Sequence, residues 1–111
     1  MIKETERGKA MGAIRFTKTK DGKIVSSLYV YTVDLPSRHL GVIEEVFTDE
    51  GHRGRGYATE LIKEAIAFCK AHGCTCVELT VREDRPEIQA FYQNLGFFDR
   101  KNRAYRLVLK G

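Results

Sequence analysis

The loop at residues 50–56, EGHRGRG, carries three glycines and two arginines directly before a helical sequence pattern. A structural turn needs one or two glycines, whereas a loop that surrounds an anion needs several, because its backbone N–H groups must approach the ligand closely. Arg53 and Arg55 add positive charge at the same place. The spacing therefore favours an anion-binding loop; the loop alone leaves open a glycine-rich turn with solvated arginines.

Two common anion-binding loops do not match this segment. The phosphate loop of nucleotide hydrolases needs G-x-x-x-x-G-K-[ST], a string that the chain lacks. The dinucleotide fingerprint G-x-G-x-x-G fails because Thr59 stands at its third glycine and antiparallel strands are predicted before it. What remains is Arg-x-x-Gly-x-Ala at Arg53, Gly56 and Ala58, between a strand and a helix, where free amides and the helix dipole suit a pyrophosphate.

The elements that position this loop are predicted in the order β-β-β-α-β-α-β-β. Strands are expected at 13–17, 24–33, 39–48 and 74–81, helices at 55–72 and from Asp84 to Gly96, and a closing hairpin at 97–109. The Asp21-Gly22 pair predicts a tight hairpin turn. Residues 39–81 read as a strand-helix-strand unit, which predicts parallel pairing. The fold class is α/β (α+β): a mixed, mainly antiparallel sheet with helices packed on it.

The first helix is predicted to bury one apolar stripe, which consists of Ala58, Leu61, Ile62, Ala65, Phe68 and Cys69. Gly73 is expected to end this helix, with His72 in the last turn, where a cation suits the helix dipole.

Length and composition predict a single domain over residues 1–111, with a frayed polar end at 1–9. No apolar run approaches the ~20 residues that span a bilayer, and the N-terminus lacks the apolar core of a signal peptide, so we expect a cytoplasmic protein without membrane contact. The three cysteines are expected to be free thiols. A net charge of +4 suits an anionic ligand without distinguishing a nucleotide from a nucleic acid.

Two segments resemble the signatures of the GNAT superfamily of N-acetyltransferases. IEEVFTDEGHRGRGYATELI, at 43–62, resembles the acetyl-CoA signature, and REDRPEIQAFYQNLGFF, at 82–98, resembles the second signature, in which a helix bears FY before a leucine and GF. They lie in the expected order, and the resemblance extends from about Gly12 to Leu109. It implies a GNAT-like fold that transfers the acetyl group of acetyl-CoA to a primary amine by direct attack in a ternary complex.

The resemblance also implies the residues that bind acetyl-CoA. In the family, pantetheine lies like an added strand beside a splayed, often bulged strand, and pyrophosphate lies on the amides of the glycine loop. Arg85 stands where many members have an asparagine that contacts the cofactor, and it is expected to bind pantetheine or phosphate oxygens. The expected donor site is Val46, Phe47, Thr48, Arg53, Gly54, Arg55, Gly56, Tyr57, Ala58, Thr59 and Arg85.

The reaction needs a base and an acid. A lysine-type amine has a pKa near 10.4 and is mostly protonated at pH 7, so a base must remove its proton, directly or through water. Glu44 and Glu45 precede the pantetheine segment, and alternation predicts that they point to opposite faces. The resemblance favours Glu44 as the base, with Glu45 or water as alternatives. It assigns to Tyr92 the protonation of the leaving thiolate; a core tyrosine beside Phe91 is the alternative. No metal is expected.

The chain departs from the family pattern in front of Gly12. The family usually starts with a strand and one or two helices there, whereas about eleven residues precede Gly12 here. The acceptor cleft is therefore expected to be open or to be completed by a second subunit. We favour a homodimer that acetylates a small-molecule amine over one that acetylates protein lysines. Ile88 also replaces a common alanine.

Three other functions are alternatives to this one. A GNAT-like protein could bind acetyl-CoA or a partner without turnover. A nucleic-acid module could use HRGRGY and the basic DRKNR segment. A metal site could use Cys69, His72, Cys74 and Cys76, although their spacing matches no common zinc pattern.

Overall fold

The computed structural model of the protein describes residues 12–111. The chain divides into two compact units, Met1–Leu79 and Thr80–Gly111. The frayed end predicted at 1–9 lies outside the described residues. No helix in residues 12–111 is both long enough and apolar enough to cross a membrane.

The first unit contains a four-stranded sheet in the order β1 (Ile14–Lys20), β2 (Lys23–Leu35), β3 (Arg38–Thr48) and β4 (Cys76–Glu78). β1 and β3 both pair with β2 in antiparallel fashion, and β3 pairs with β4 in parallel. At the β1–β2 turn, Asp21 and Gly22 have φ angles of 51° and 76°, the left-handed values that a two-residue type I′ turn requires. The predicted mixed, mainly antiparallel sheet and its hairpin are confirmed.

Helix α1 (Tyr57–Ala71) packs on this sheet through the predicted stripe, of which Leu61, Ile62, Ala65 and Cys69 are buried. They form the core together with Leu28, Val30 and Ile43 of the strands. At the side of the sheet, Lys18 of β1 lies 3.6 and 3.4 Å from the carboxylates of Glu60 and Glu64. The stripe thus packs α1 on β2 and β3, and β3 leads directly into the glycine loop.

The end of α1 follows the predicted stop signal. Gly73 has a φ of 79°, and its N–H donates to the carbonyl of Lys70 at 3.1 Å. The N–H of Cys74 donates to the carbonyl of Cys69 at 3.0 Å, which completes the two bonds of a Schellman motif. The His72 ring contacts the Phe68 carbonyl through Nδ1 at 2.9 Å.

The second unit contains helix α2 (Pro86–Asn94). Pro86 occupies the first turn as predicted, but the helix begins after Arg85 and no side chain caps it. Asp84, which the sequence suggested as the start signal, is instead bound by the guanidinium of Arg82 at 3.2 and 2.9 Å. Gly96, with a φ of 102°, follows the end of the helix.

Three predicted strands differ from the structure. The strand predicted at 74–81 is confined to Cys76–Glu78, and the closing hairpin predicted at 97–109 is wrong, because residues 95–111 contain no strand. The alternation in AYRLVL suggested that hairpin, but a strand also needs a partner. Tyr105, Leu107 and Leu109 are 91%, 83% and 90% exposed, so this alternation does not correspond to a buried face.

Candidate functional site

The second half of β3 has one open edge. β4 pairs only with Leu40, Gly41 and Val42, and the remaining residues of β3, Ile43–Thr48, extend beyond it. On its other side β3 stays paired with β2 as far as Thr48. Backbone groups on an open strand edge can bind an extended ligand as an additional strand. The structure thus provides, at the predicted pantetheine segment, an edge that β4 does not cover.

A β-bulge interrupts β3 within this segment. Glu44 lies opposite Tyr29, whereas Phe47 lies opposite Ser27. Glu45 and Val46 therefore face a single residue of β2, Leu28, and Glu45 has a φ of 50°. This bulge shifts the alternation of β3 by one residue, so it decides which backbone groups beyond it face the open edge.

Thr48 is the predicted pantetheine partner that faces the open edge. The N–H of Asp49 donates to the Val25 carbonyl of β2 at 2.7 Å, so in an antiparallel ladder the backbone groups of Thr48 point away from β2 and those of Phe47 point toward it. Nε of Arg53 donates to the Thr48 carbonyl at 3.3 Å, which supports the same orientation. Because the bulge reverses the phase, the backbone groups of Phe47 point toward β2, which favours Thr48 over Phe47 as a partner of pantetheine. The binding of pantetheine by Phe47 stays a prediction. Val46 lies in the bulge itself.

The glycine loop forms an open cradle at the start of α1. A short 3-10 turn at Glu50–His52 leads into it, and Gly54 and Gly56 have φ angles of 78° and 81°. A Cβ atom built on either glycine would meet no heavy atom within 4 Å, so the space above the backbone is free. The N–H of Glu60 donates to the Gly56 carbonyl at 3.0 Å as the first bond of the helix.

The amides of Tyr57, Ala58 and Thr59 precede that first bond and therefore have no partner within the helix. These N–H groups and the positive end of the helix dipole point toward the glycine loop, which contains Arg53 and Arg55. Both arginines are exposed, and the bond to Thr48 uses only Nε of Arg53. These residues fit the pyrophosphate of acetyl-CoA: open backbone, free amides and cations lie at one place.

Asp49 and His52 close the turn between β3 and the cradle, and the sequence analysis missed them. Nδ1 of His52 lies 2.9 Å from Oδ2 of Asp49. This hydrogen bond is the main cause that lowers the pKa of Asp49. The rings of His52 and Tyr57 lie 6.5 Å apart, so the pair also contacts the first turn of α1. An acid followed three residues later by a histidine, directly after a strand, is the signal that could have revealed it.

Glu44 and Glu45, the two candidate bases, are both exposed. Glu44 belongs to the regular ladder opposite Tyr29, but Glu45 is part of the bulge. Alternation does not hold across a bulge, so it does not fix the relative directions of the two carboxylates, and the choice of base between them stays a prediction.

In the second unit, Tyr92 of α2 is only 8% exposed. Its ring packs edge-on against Phe91 and Phe97, at centroid distances of 5.0 and 5.8 Å. Burial raises the pKa of the Tyr92 phenol. A phenol of ordinary pKa, about 10, already keeps its proton at neutral pH, and burial makes the loss of that proton still less favourable.

Arg85, the last predicted donor residue, precedes α2 and pairs with Glu87. Its Nε donates to Oε1 of Glu87 at 2.7 Å, and this bond raises the pKa of Arg85 and lowers that of Glu87. The guanidinium is half-exposed, so its remaining N–H groups are accessible to solvent.

The cysteines are free thiols. Burial, with neighbouring Cys74 as the second cause, raises the pKa of Cys69 to about 11. Within residues 12–111, no three histidine, cysteine or acidic side chains gather as a group that could hold a metal ion.

Comparison with known proteins identifies the family. A sequence model described as the acetyltransferase (GNAT) family matches residues 2–97. An uncharacterized N-acetyltransferase of Methanocaldococcus jannaschii is 37% identical over 68 residues, which are 61% of this chain and 30% of the relative. N-alpha-acetyltransferase MAK3 of Arabidopsis thaliana is 32% identical over 90 residues, which are 81% of this chain and 47% of the relative.

The chain thus covers less than half of the length of these two curated relatives. The crystal structure of an acetyltransferase from Trypanosoma brucei superimposes with a TM-score of 0.77 at 30% identity, over 93% of this chain and 72% of that one. Because the family model spans most of the sequence, the chain belongs to the GNAT acetyltransferase family.

Proposed function

We propose that the protein is an acetyl-CoA-dependent N-acetyltransferase that acetylates a primary amine by direct attack in a ternary complex. The observation that carries this proposal is the continuity of the open β3 edge, from the bulge to Thr48, with the cradle at the start of α1. An extended chain with an anionic end fits such a combination, and the pantetheine arm and pyrophosphate of acetyl-CoA have that form.

The cradle would hold the pyrophosphate on the amides of Tyr57, Ala58 and Thr59, with Arg53 and Arg55 neutralising its charge. The pantetheine arm would run along the open edge of β3 and bond to the backbone of Thr48. Arg53 would join the two parts, because its Nε is already bound to the Thr48 carbonyl. From the second unit, Arg85 is proposed to bind pantetheine or phosphate oxygens.

The proton transfers are assigned to Glu44 and Tyr92. Glu44, with Glu45 or water as alternatives, accepts the proton that the amine must lose before it attacks the thioester carbonyl. Tyr92 gives its proton to the sulfur that leaves as the carbon–sulfur bond breaks. A phenol has an ordinary pKa of about 10, so Tyr92 carries this proton at neutral pH without any shift.

The acceptor is proposed to be a small amine, and a homodimer is proposed to complete the acceptor site. The exposed carboxylates of Glu44 and Glu45 favour an amine that arrives as a cation. A second candidate acceptor is the α-amine of a polypeptide, because a relative that aligns over 81% of this chain is named an N-alpha-acetyltransferase.

Calorimetry with acetyl-CoA, followed by release of coenzyme A in the presence of candidate amines, tests this proposal. The screen would include small amines, amino sugars, amino acids, lysine peptides and peptides with free N-termini. Absence of binding at millimolar acetyl-CoA would overturn it. Binding without turnover on any acceptor would instead identify a GNAT-like binding protein. A monomer by light scattering that acetylates only polypeptides would contradict the small-amine and homodimer assignments.

A further inference from the structure

Ser26 of β2 is fully buried and directs its hydroxyl at the segment of β3 that follows the bulge. The Ser26 hydroxyl donates to the carbonyl of Phe47 at 2.9 Å, and its Oγ lies 3.0 Å from Oγ1 of Thr48. It therefore contacts both residues of β3 that follow the shift in register. One residue earlier on β2, the Val25 carbonyl accepts the N–H of Asp49.

The neighbouring serine has a different partner. Ser27 is 3% exposed, and its Oγ accepts a bond from the Arg15 guanidinium of β1 at 3.4 Å. Adjacent residues of a strand point to opposite faces of the sheet, so only one of these two hydroxyls can form a hydrogen bond with the side chain of Thr48 on β3. The chain thus contains two buried serines of equal size, one bound to the proposed donor strand and one bound elsewhere.

After the bulge, the register of β3 is shifted by one residue against β2. Contacts made by the residues that follow the bulge must keep it in this register. A one-residue slip would return Phe47 to the open edge and turn the Thr48 backbone toward β2. The two contacts of Ser26 exist only when Phe47 and Thr48 occupy their present positions. A buried hydroxyl that loses its partners is costly, so these contacts favour the shifted register.

We propose that Ser26 is a positioning residue for acetyl-CoA, which holds Thr48 in the register that turns its backbone toward the open edge of β3. This inference rests on the proposed function. Ser26 does not touch the donor in this arrangement; it acts through Phe47 and Thr48. Loss of the Ser26 hydroxyl should weaken binding of the pantetheine arm. It should leave the proposed pyrophosphate site at the start of α1 unaffected.

Calorimetry on the whole chain with two probes tests this inference: acetyl-CoA, and 3′-phospho-ADP, the nucleotide half of coenzyme A. For Ser26→Ala we expect the affinity for acetyl-CoA to fall about tenfold, the effect of one hydrogen bond, with the affinity for 3′-phospho-ADP within about twofold of wild type. Ser27→Ala is the matched control and should leave both affinities within about twofold. If Ser26 had a merely structural role, Ser26→Ala would lower the affinities for both probes together or would change neither.

Variants of Thr48 provide a second test if Ser26→Ala does not fold. Thr48→Val removes the hydroxyl at nearly constant shape and should reproduce the selective loss, whereas Thr48→Ser keeps the hydroxyl and should restore acetyl-CoA affinity. Equal acetyl-CoA affinities in Ser26→Ala, Thr48→Val and Ser27→Ala would overturn the positioning role. If the wild-type protein binds neither 3′-phospho-ADP nor acetyl-CoA, the proposed function itself fails. That outcome differs from failure of the positioning role, in which the wild-type protein binds both probes.

Discussion

Gly41 of β3 and Cys69 of α1 are in direct contact: a Cβ atom at position 41 would collide with the Cys69 sulfur and lie 3.5 Å from that of Cys74. Only a residue without a side chain lets α1 approach β3 this closely. The other end of α1 forms the cradle, and the continuation of β3 forms the open edge. The distance between the two halves of the proposed donor site is therefore set in part by this contact.

We expect Gly41→Ala to lower the free energy of unfolding by about 1–3 kcal/mol, the usual cost of overpacking a buried contact. Urea denaturation measures the change. Cys69→Ala in the same chain should recover part of the loss, because it removes the sulfur that the new methyl group meets. A Gly41→Ala protein as stable as wild type would show that α1 can shift at no cost.

Local features of this fold could be predicted from the sequence, because their causes lie within a few residues. The Asp21-Gly22 turn, the stripe of α1 and the stop at Gly73 are of this kind. The family resemblance suggested a bulge in this strand, but its position at Glu45 could not be predicted, because glutamate does not favour a positive φ and only the pairing with β2 reveals the extra residue. The backbone orientation of Phe47 could not be predicted for the same reason, since it depends on the bulge. At the C-terminal end, alternation indicated a strand without showing a partner.

Gly56→Glu should abolish acetyl-CoA binding, because the side chain places bulk and a negative charge where the phosphates are proposed to lie. Gly22→Glu is a matched control: Gly22 has a φ of 76° against 81° for Gly56, and no heavy atom lies within 4 Å of either Cβ position. Both changes should cost about 1–2 kcal/mol of stability through left-handed backbone strain. Calorimetry should find normal acetyl-CoA affinity in Gly22→Glu; an equal loss in both variants would contradict the cradle.

Tyr92→Phe should reduce turnover about 10²–10⁴-fold, the range for loss of a general acid, with little change in acetyl-CoA affinity. Only the hydroxyl is removed, so the edge-on contacts with Phe91 and Phe97 persist. Steady-state release of coenzyme A measures the effect. Tyr105→Phe, at a 91% exposed tyrosine, is the control for loss of a phenol elsewhere. Unchanged turnover would reduce Tyr92 to a packing residue.

Because His52 is hydrogen-bonded to Asp49, we expect the difference in stability between wild type and His52→Ala to depend on pH. The hydrogen bond from His52 lowers the pKa of Asp49 in the folded protein. A lowered folded pKa means that this contribution is fully present above the unfolded pKa, which is about 3.9, and is lost as the pH falls through the folded value. Wild type should therefore exceed His52→Ala in thermal stability at pH 6, and the gap should narrow below about pH 4. A gap that stays constant with pH would contradict the assigned cause.

Glu44→Gln should move the optimum of turnover to higher pH without weakening acetyl-CoA binding. With the base removed, attack must wait for the fraction of amine that has lost its own proton, and for a lysine-type amine that fraction grows until the pH nears about 10.4. Glu45→Gln removes the same charge one residue away, in the bulge, so it separates the loss of a base from a change in local potential. The pH profiles of kcat and kcat/KM for the two variants make the comparison. A shifted profile in Glu45→Gln alone would transfer the role to Glu45. Two unmoved profiles would leave proton removal to water, because neither carboxylate then limits the supply of neutral amine.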